Sequence, residues 1–505
     1  MRVLLMHPDR DFDAEAGRPW NESALTQDLD LETLLGAMAA GDDFVHDVAR
    51  TAMLCGMGNG IATILHRQAV LKDCLQNRAV VLEMYQLAVE TIEKRRQYWL
   101  SIVSHYASGI LYGAIELMEM YADMLGRLRH IAEQHAAQFE SPGFRSLFAM
   151  LAAELGDDYL AAIRHHLHDL RFPDGVLISA ALGAGNAGSD YVLHRPVGKA
   201  PGWLDRLFGK GEPAYTFHID EHDESGGNIL SGMRDRGIAQ VANALAQSTD
   251  HVLQFFRALR TELAFYVGCL NLHGRLTAKG EPLCFPQPVA PGERRLRCDG
   301  LYDVCLALHR EARVVGNAAD AGGKDIIVIT GANQGGKSSF LRGIGLAQLM
   351  MQSGMFVAAT SFEGALCTGL YTHYVREEDA AMKQGKFDEE LARMSDIADH
   401  LAPHALLLFN ESFAATNARE GSEIARQIVD ALLERRIRVV FVTHLYDLAH
   451  DFYARTLANA LFLRAERRDD GTRSFKLIEG APQATSHGAD LYRQVFGDAA
   501  AEGGA

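Results

Sequence analysis

The chain has 505 residues, of which 48% are hydrophobic and 23% charged, and its formal net charge is −16. These proportions are typical of an ordinary folded protein with room for several domains, and the acidic balance argues against a basic nucleic-acid coat over the whole surface. No apolar run is long enough to cross a bilayer, and the seven scattered cysteines form no CxxC pair. Reduced thiols in a cytoplasmic protein are therefore expected.

Two apolar stripes mark long helices ahead of residue 280. Between Leu111 and Ile131, apolar residues recur at three- and four-residue steps, and the same spacing returns between Val252 and Leu270. This periodicity predicts the buried face of an amphipathic helix in each case. Ahead of both, the short VLLM run near the N-terminus is a strand candidate.

Between these helices lies a segment of different composition, residues 172–232, which mixes glycines and prolines with short alternating runs. That composition predicts strands and loops inserted between helices. Its basic window, 195–210, has the charge to meet a nucleic-acid backbone, but a solvated loop is the favoured interpretation. For His165 and His168, which share a helix face, a solvated face is likewise favoured over a metal site.

The most informative stretch is IIVITGANQGGKS at residues 326–338, where a β-branched apolar run leads into a glycine turn and a helix-like segment. This arrangement predicts a phosphate-binding loop, in which backbone N–H groups surround a phosphate and the helix dipole adds partial positive charge. Lys337 is expected to reach the β- and γ-phosphate oxygens, and the Ser338 hydroxyl to bind Mg²⁺. The predicted nucleotide-binding residues are Gly331, Ala332, Asn333, Gln334, Gly335, Gly336, Lys337, Ser338 and Ser339. The chain is therefore expected to bind a nucleoside triphosphate.

Two further buried-strand runs lead into residues suited to triphosphate hydrolysis. The run 405–409 is followed by Asn410 and Glu411, and the run 437–442 ends just before His444. We expect Glu411 to orient or deprotonate the attacking water, and His444 to contact the γ-phosphate. Asn410 is expected to hydrogen-bond a metal-bound water without adding charge, which completes the predicted catalytic set.

In this order, the segments GANQGGKSS, LLLFNES and FVTHLYDLA resemble the ATPase domain of the MutS family of DNA mismatch-repair proteins. The resemblance covers most of residues 35–497 and is strongest over 325–450. Phe387 and Glu390 match the aromatic and acidic positions of the family's trans-acting signature, and Gly385 and Lys386 stand at the signature's preceding positions. Residues 485–488 resemble the family's last strand-to-helix element. Asp303 and Asn317 resemble its adenine-side segment, where Tyr302 is expected to contact the base.

The resemblance implies ATP and Mg²⁺, a homodimer whose ATP sites are composite, and duplex or branched DNA as the partner. Two departures predict slow hydrolysis: Gly385 stands where the signature has serine, and Asn410 stands where the family has aspartate. The chain is expected to lack the family's mismatch-reading and connector domains because it is too short for them. Mismatch recognition by wedge insertion is therefore not expected.

The expected fold class is α+β multidomain: a mainly α-helical core and lever region with a small inserted β and loop segment, followed by a P-loop α/β ATPase domain of the ABC/MutS type. The expected divisions are a leader at 1–34, a helical core and lever at 35–171, a clamp-like insert at 172–232, a return lever helix and linker at 233–290, and the ATPase domain at 291–505.

The leading hypothesis is a MutS-like ATPase that couples its nucleotide state to DNA binding. The alternative is a nucleotide-gated switch that binds a protein partner with little turnover and no DNA, and it is favoured by Asn410, Gly385 and the acidic composition. An ATP-binding transporter subunit is disfavoured because no LSGGQ-like segment is present, and no membrane partner is expected.

Overall fold

The computed structural model describes residues 1–101, 106–173, 175–194, 219–220, 222–376, 385–467 and 473–482. The basic window 195–210 and the 485–488 element lie outside these residues. The chain divides into two compact units. The first contains Met1–Val3, Ala79–Phe139 and Arg145–Arg260, and the second contains Leu4–Arg78, Glu140–Phe144 and Thr261–Ala505. The five divisions expected from the sequence stay predictions.

Helices supply most of the regular structure before the phosphate loop. The α-helices of the described residues are, in chain order, Glu22–Asp28, Leu31–Ala39, Asp43–Leu54, Ile61–Gln76, Arg78–Ser101, Ala107–His135, Pro142–Glu154, Asp157–Asp169, Glu224–Ala278, Val304–His309, Lys337–Gln352, Lys386–His400, Ala418–Glu434 and Tyr446–Ala454. Among the described residues, no helix has both the length and the apolar character needed to span a membrane.

In the part of the first unit that the structure describes, helices are combined with a β-hairpin. Strand β1 (Leu177–Leu182) pairs antiparallel with β2 (Gly188–His194). Apolar side chains from three helices form its core cluster. The buried members are Leu111, Ile115, Met118, Leu167, Ile238 and Ala242. The apolar stripe of the Ala107–His135 helix is therefore its buried face, as the spacing predicts.

Residues 224–232, which the composition placed among strands and loops, are helical in the structure. The helix Glu224–Ala278 begins there despite three glycines in its first turns. Asp223 explains the start, because its carboxylate accepts a hydrogen bond from the Gly226 N–H at 2.9 Å, and Glu224 lies in the first turn, where negative charge is favourable. The capping contact thus offsets the poor helix propensity of glycine.

Two sheets organise the described residues of the second unit. The strands of the larger sheet are β6 (Ile326–Thr330), β8 (Leu370–Tyr374), β9 (Leu406–Asn410), β10 (Arg438–Val442), β11 (Ala460–Arg467) and β12 (Arg473–Glu479). This six-stranded sheet has the order β12-β11-β6-β10-β9-β8, and all neighbouring pairs are parallel except β11 and β12. The four-stranded sheet, of order β3-β7-β4-β5, contains β3 (Gln287–Val289), β4 (Leu296–Leu301), β5 (Asn317–Asp320) and β7 (Ser361–Ala365).

The three central strands β6, β9 and β10 are buried over nearly their whole length, as expected for parallel strands covered on both faces. Val442 lies opposite Ile329 on β6 and opposite Asn410 on β9. The carboxyl ends of these strands therefore meet at one edge of the sheet. The expected fold class is confirmed: a helical region with a small two-stranded sheet, followed by a mixed α/β domain.

The VLLM segment is buried at Leu5 and Met6 but forms no strand, so the strand interpretation is wrong. Its backbone is satisfied by a side chain: the Glu262 carboxylate accepts the N–H groups of Leu5, Met6 and Phe12 at 2.6, 2.9 and 2.7 Å. Burial raises the pKa of Glu262 to about 7, although these three donors oppose the shift. A buried carboxylate thus takes the place of a neighbouring strand.

Candidate nucleotide site

The loop between β6 and the Lys337–Gln352 helix has the backbone that a phosphate cradle requires. Gly331 and Gly336 adopt φ angles of 113° and 88°, which side chains rarely tolerate. A Cβ atom at Gly331 would lie 2.9 Å from the Ala465 backbone nitrogen. Glycine is therefore needed at this position for both conformation and space, and the loop leads directly into a helix N-terminus.

Lys337 is folded back onto its own loop. Its side chain is buried, and Nζ donates to the carbonyl oxygens of Gly331 and Ala332 at 3.0 and 2.9 Å. Burial lowers the pKa of the ammonium group, and the nearby Glu411 carboxylate opposes that shift. For Lys337 to bind a nucleotide, phosphate oxygens would have to replace these two carbonyl oxygens as its hydrogen-bond acceptors.

Ser338 and Asn410 meet at the end of β9. The Ser338 hydroxyl donates to Asn410 Oδ1 at 3.0 Å, so two neutral oxygens, one from the first turn of the Lys337–Gln352 helix and one from the end of β9, are already side by side. Hard oxygen atoms are what Mg²⁺ prefers, and an amide oxygen is an acceptable though uncharged member of such a set. The donor set fits the metal, with one negative charge fewer than an aspartate would provide.

Glu411 and His444 face each other across the ends of β9 and β10. His444 Nε2 lies 2.9 Å from Glu411 Oε1, and the Glu411 N–H donates to the Val442 carbonyl oxygen at 2.8 Å. The hydrogen bond from His444 lowers the pKa of Glu411 despite partial burial, so the group is a carboxylate at neutral pH. The structure thus brings together all three residues expected to act in catalysis, next to Lys337 and Ser338.

The residues at the positions of the trans-acting signature lie at the start of the Lys386–His400 helix. Gly385 caps the Lys386–His400 helix, and Phe387 packs, partly buried, against the sheet core. Glu390 is buried, and its Oε2 accepts a hydrogen bond from the Phe413 N–H at 3.0 Å. The Glu390 carboxylate therefore contacts its own chain, a contact for which the sequence carries no signal.

A cavity of about 370 Å³ lies beside the phosphate loop, on the side where a base is expected. Tyr302, Asn317, Gln334, Gly336 and Phe475 are among the residues that line it. The Asn317 side chain is occupied, because it donates to the Phe475 carbonyl oxygen at 3.1 Å and accepts from the Leu477 N–H at 2.8 Å. The buried Tyr302 hydroxyl has no hydrogen-bond partner among the described residues.

Asp303, the other residue expected near the base, makes structural contacts. It accepts a hydrogen bond from the Leu306 N–H at 3.1 Å and forms an ion pair with Arg342 at 2.5 Å. Burial raises the pKa of Asp303, and the Arg342 guanidinium opposes that rise. Asp303 therefore fixes the start of the Val304–His309 helix against the helix that follows the phosphate loop.

A second cavity, of about 670 Å³, opens beside Ser338 and Asn410. It is also lined by Arg376 and Arg393 and by the acid Asp28, which pairs with Arg376 at 3.0 Å. Sequence inspection missed these arginines because they belong to no motif and lie far from the loop along the chain. The two arginines place positive charge on the side of the site where Asn410 is neutral and an aspartate would be negative.

Comparison with protein families decides the affiliation. A model of the MutS2 N-terminal domain matches residues 59–279, and a model of MutS domain V matches residues 327–496. The chain belongs to the MutS family. The match to domain V, the family's ATPase domain, covers β6 from Ile327 onward, β9 and β10. It also includes the Lys337, Asn410, Glu411 and His444 side chains described above.

Similar proteins cover limited parts of this MutS-family chain. The DNA mismatch repair protein MutS of a Synechococcus species is 33% identical over 169 residues, which are 32% of this chain and 19% of that protein. Endonuclease MutS2 of Thermus thermophilus is 35% identical over 123 residues, which are 24% of this chain and 16% of that protein. The matched segment therefore spans less than a fifth of the length of either relative.

Proposed function

We propose that this MutS-family protein binds and slowly hydrolyses ATP with Mg²⁺, acts as a homodimer, and couples its nucleotide state to DNA binding without wedge-type mismatch recognition. The observation that supports it best is the convergence of Lys337, the Ser338–Asn410 pair and the Glu411–His444 pair at one sheet edge. A phosphate cradle, a metal-binding oxygen pair and a carboxylate base are what phosphoryl transfer to water requires.

Each of these residues has a distinct task in the proposed reaction. Lys337 and the loop N–H groups would hold the phosphates. Ser338 would bind Mg²⁺ and Asn410 a water on it, and the metal would supply positive charge for the phosphate oxygens. Glu411, kept ionised by His444, orients the attacking water and accepts its proton. We assign His444, whose Nε2 faces Glu411 at 2.9 Å, to the γ-phosphate, to which its ring N–H would donate.

Slow turnover is proposed from two residues. Asn410 contributes a neutral oxygen to the metal site, so developing negative charge on the phosphates is balanced less well than with aspartate. Gly385 has no side chain to offer a phosphate at the start of its helix. Both features reduce the stabilisation of the transition state more than they reduce nucleotide binding.

An ATPase assay with matched variants tests the catalytic part. We expect measurable turnover in the wild type, loss of turnover in Glu411→Ala, and unchanged turnover in Glu423→Ala, which removes an exposed acid from the Ala418–Glu434 helix. Turnover that persists in Glu411→Ala would show that another group activates the water.

DNA binding is proposed from the family relationship, since the net charge of −16 gives no independent support. Filter binding of duplex and branched DNA over a salt series tests it, because phosphate contacts make affinity fall steeply with salt. Absence of a salt-dependent affinity for either DNA, with and without ATP, would remove this part of the proposal.

The second candidate is a nucleotide-gated switch that binds a protein partner, with little turnover and no DNA. Asn410 and Gly385 favour it, since both weaken hydrolysis while leaving the phosphate cradle complete. Turnover stimulated by DNA would exclude the switch. Tight ATP binding with neither turnover nor DNA binding would favour it over the first proposal.

A further inference from the structure

The turn that carries Glu411 has an unfavourable backbone. Glu411 and Phe413 adopt φ angles of 57° and 64°, in the left-handed region that residues with a side chain seldom occupy. Two such residues within three positions persist only where surrounding contacts determine the conformation. The contacts that hold this turn therefore also set the direction of the Glu411 carboxylate.

Glu390 provides the first of these contacts. Its Oε2 accepts the Phe413 N–H at 3.0 Å, and its other oxygen, Oε1, is buried without a hydrogen-bond partner among the described residues. Burial of this carboxylate is costly: it raises the pKa of Glu390, although the Phe413 N–H and the charges of Arg393 and Lys386 oppose the rise. A neutral side chain would avoid this cost and stabilise the helix interior equally well. We therefore attribute the acidic residue at this position to the turn that contains Phe413.

His373 on β8 provides the second contact. Its Nδ1 lies 2.8 Å from the Ser412 hydroxyl oxygen, its Nε2 lies 3.0 Å from the Glu390 carbonyl oxygen, and its ring stacks on Phe413 at 5.2 Å. A carbonyl oxygen only accepts, so Nε2 carries the proton, and the Ser412 hydroxyl lies between two acceptors, Nδ1 and the His373 backbone carbonyl oxygen, which share its single proton. Burial lowers the pKa of His373 to about 4, which keeps this neutral tautomer at physiological pH.

We propose that Glu390 and His373 are positioning residues for Glu411: acting through Phe413 and Ser412, they hold the strained turn so that the Glu411 carboxylate faces His444. Neither residue contacts substrate in this proposal, which rests on the proposed ATPase function. The network joins the Lys386–His400 helix, strand β8 and the turn after β9. Three separate elements therefore determine the orientation of the Glu411 carboxylate.

The test compares Glu390→Ala with Glu390→Gln, whose amide oxygen still accepts the Phe413 N–H. Glu390→Ala is expected to lower kcat about 100-fold, the scale of an ångström misplacement of a catalytic group, with KM for ATP within about twofold of the wild type. Glu390→Gln should restore most of kcat. Asp73→Ala is the control, since Asp73 is a buried carboxylate that accepts the backbone N–H groups of Glu140 and Ser141 away from the nucleotide site.

The pH profile of kcat separates positioning from general destabilisation. When Glu411 leaves His444, its pKa rises, so the acid limb of the profile is expected to move to higher pH in Glu390→Ala but not in Asp73→Ala. Ser412→Ala, which removes one hydroxyl, is expected to produce a smaller loss of kcat and a shift in the same direction. It also serves as the test if Glu390→Ala does not fold.

Two negative results have different meanings. A wild type that neither binds nor hydrolyses ATP would overturn the proposed function. A wild type that hydrolyses ATP, with kcat and the acid limb unchanged in Glu390→Ala or, if that variant is unfolded, in Ser412→Ala, would overturn the positioning inference alone. Equal losses in kcat and ATP affinity would also overturn it, because a general loss of the site would then explain the data.

Discussion

Replacing Asn410 by aspartate tests the reasoning about the metal site most directly. The substitution changes one terminal nitrogen or oxygen and keeps the shape of the side chain, so the hydrogen bond from the Ser338 hydroxyl at 3.0 Å should be preserved. The substitution changes the charge of this side chain. The pair formed by Ser338 and residue 410 becomes anionic, and it faces the second cavity, which Arg376 and Arg393 also line.

The magnitude follows from the worth of that charge. A neutral hydrogen bond contributes about 0.5–1.5 kcal/mol and one to a charged group about 1.5–3 kcal/mol, so the gain is about 1–1.5 kcal/mol. Because about 1.4 kcal/mol corresponds to a factor of ten, Asn410→Asp should bind Mg²⁺ about tenfold more tightly and raise kcat by up to about tenfold.

The assay is ATP turnover measured across a Mg²⁺ titration. Asn417→Asp is the control: it makes the same substitution at the residue that caps the Ala418–Glu434 helix, where aspartate also caps well. If the Mg²⁺ midpoint and kcat of Asn410→Asp both stay within about twofold of the wild type, Asn410 is not part of the metal site, and the explanation of slow turnover fails.

Three other perturbations have defined outcomes. Lys337→Ala should weaken ATP binding by about 10- to 100-fold in calorimetry, the worth of a charged hydrogen-bond donor, and an unchanged affinity would contradict the assignment of the loop. Gly331→Ala should lower the free energy of unfolding by about 1–3 kcal/mol in urea, because its Cβ atom would lie 2.9 Å from the Ala465 nitrogen; an unchanged midpoint would mean that the loop relaxes freely. The raised pKa of Glu262, about 7 against an ordinary 4.5, means that the folded state retains a proton which the unfolded state releases. The stability that this group contributes is therefore complete below pH 4.5 and is lost as pH rises through 7. Relative to Glu262→Gln, the free energy of unfolding of the wild type should fall by up to about 3 kcal/mol between pH 4.5 and 8. Parallel curves of unfolding free energy against pH for the two proteins would refute the shift.

The nucleotide site could be anticipated because its residues follow local rules. Glycines, a lysine and a serine after a β-branched run specify a phosphate loop by their spacing alone. The runs before Asn410 and His444 are continuous and apolar, as central parallel strands are, and parallel strands deliver their carboxyl ends to one edge. The roles of these residues stay predictions, whereas the strands that bring them together are part of the structure.

The rest depends on contacts between residues that are distant in sequence. The VLLM run has the composition of a strand, but its N–H groups are satisfied by Glu262, 257 residues from Leu5, and no periodicity reveals such a partner. The inward direction of Glu390 depends likewise on how its helix meets Phe413. Three glycines after Asp223 suggest a turn until the capping hydrogen bond to Gly226 is known.

Two carbonyl oxygens accept hydrogen bonds from the Lys337 ammonium group. Binding of a nucleotide therefore exchanges these hydrogen bonds for hydrogen bonds to phosphate and does not simply add new ones. ATP competes with an internal ligand that is always present, so the affinity of the protein for ATP is a difference between two sets of hydrogen bonds. The heat released on binding should therefore be modest for so many charged contacts.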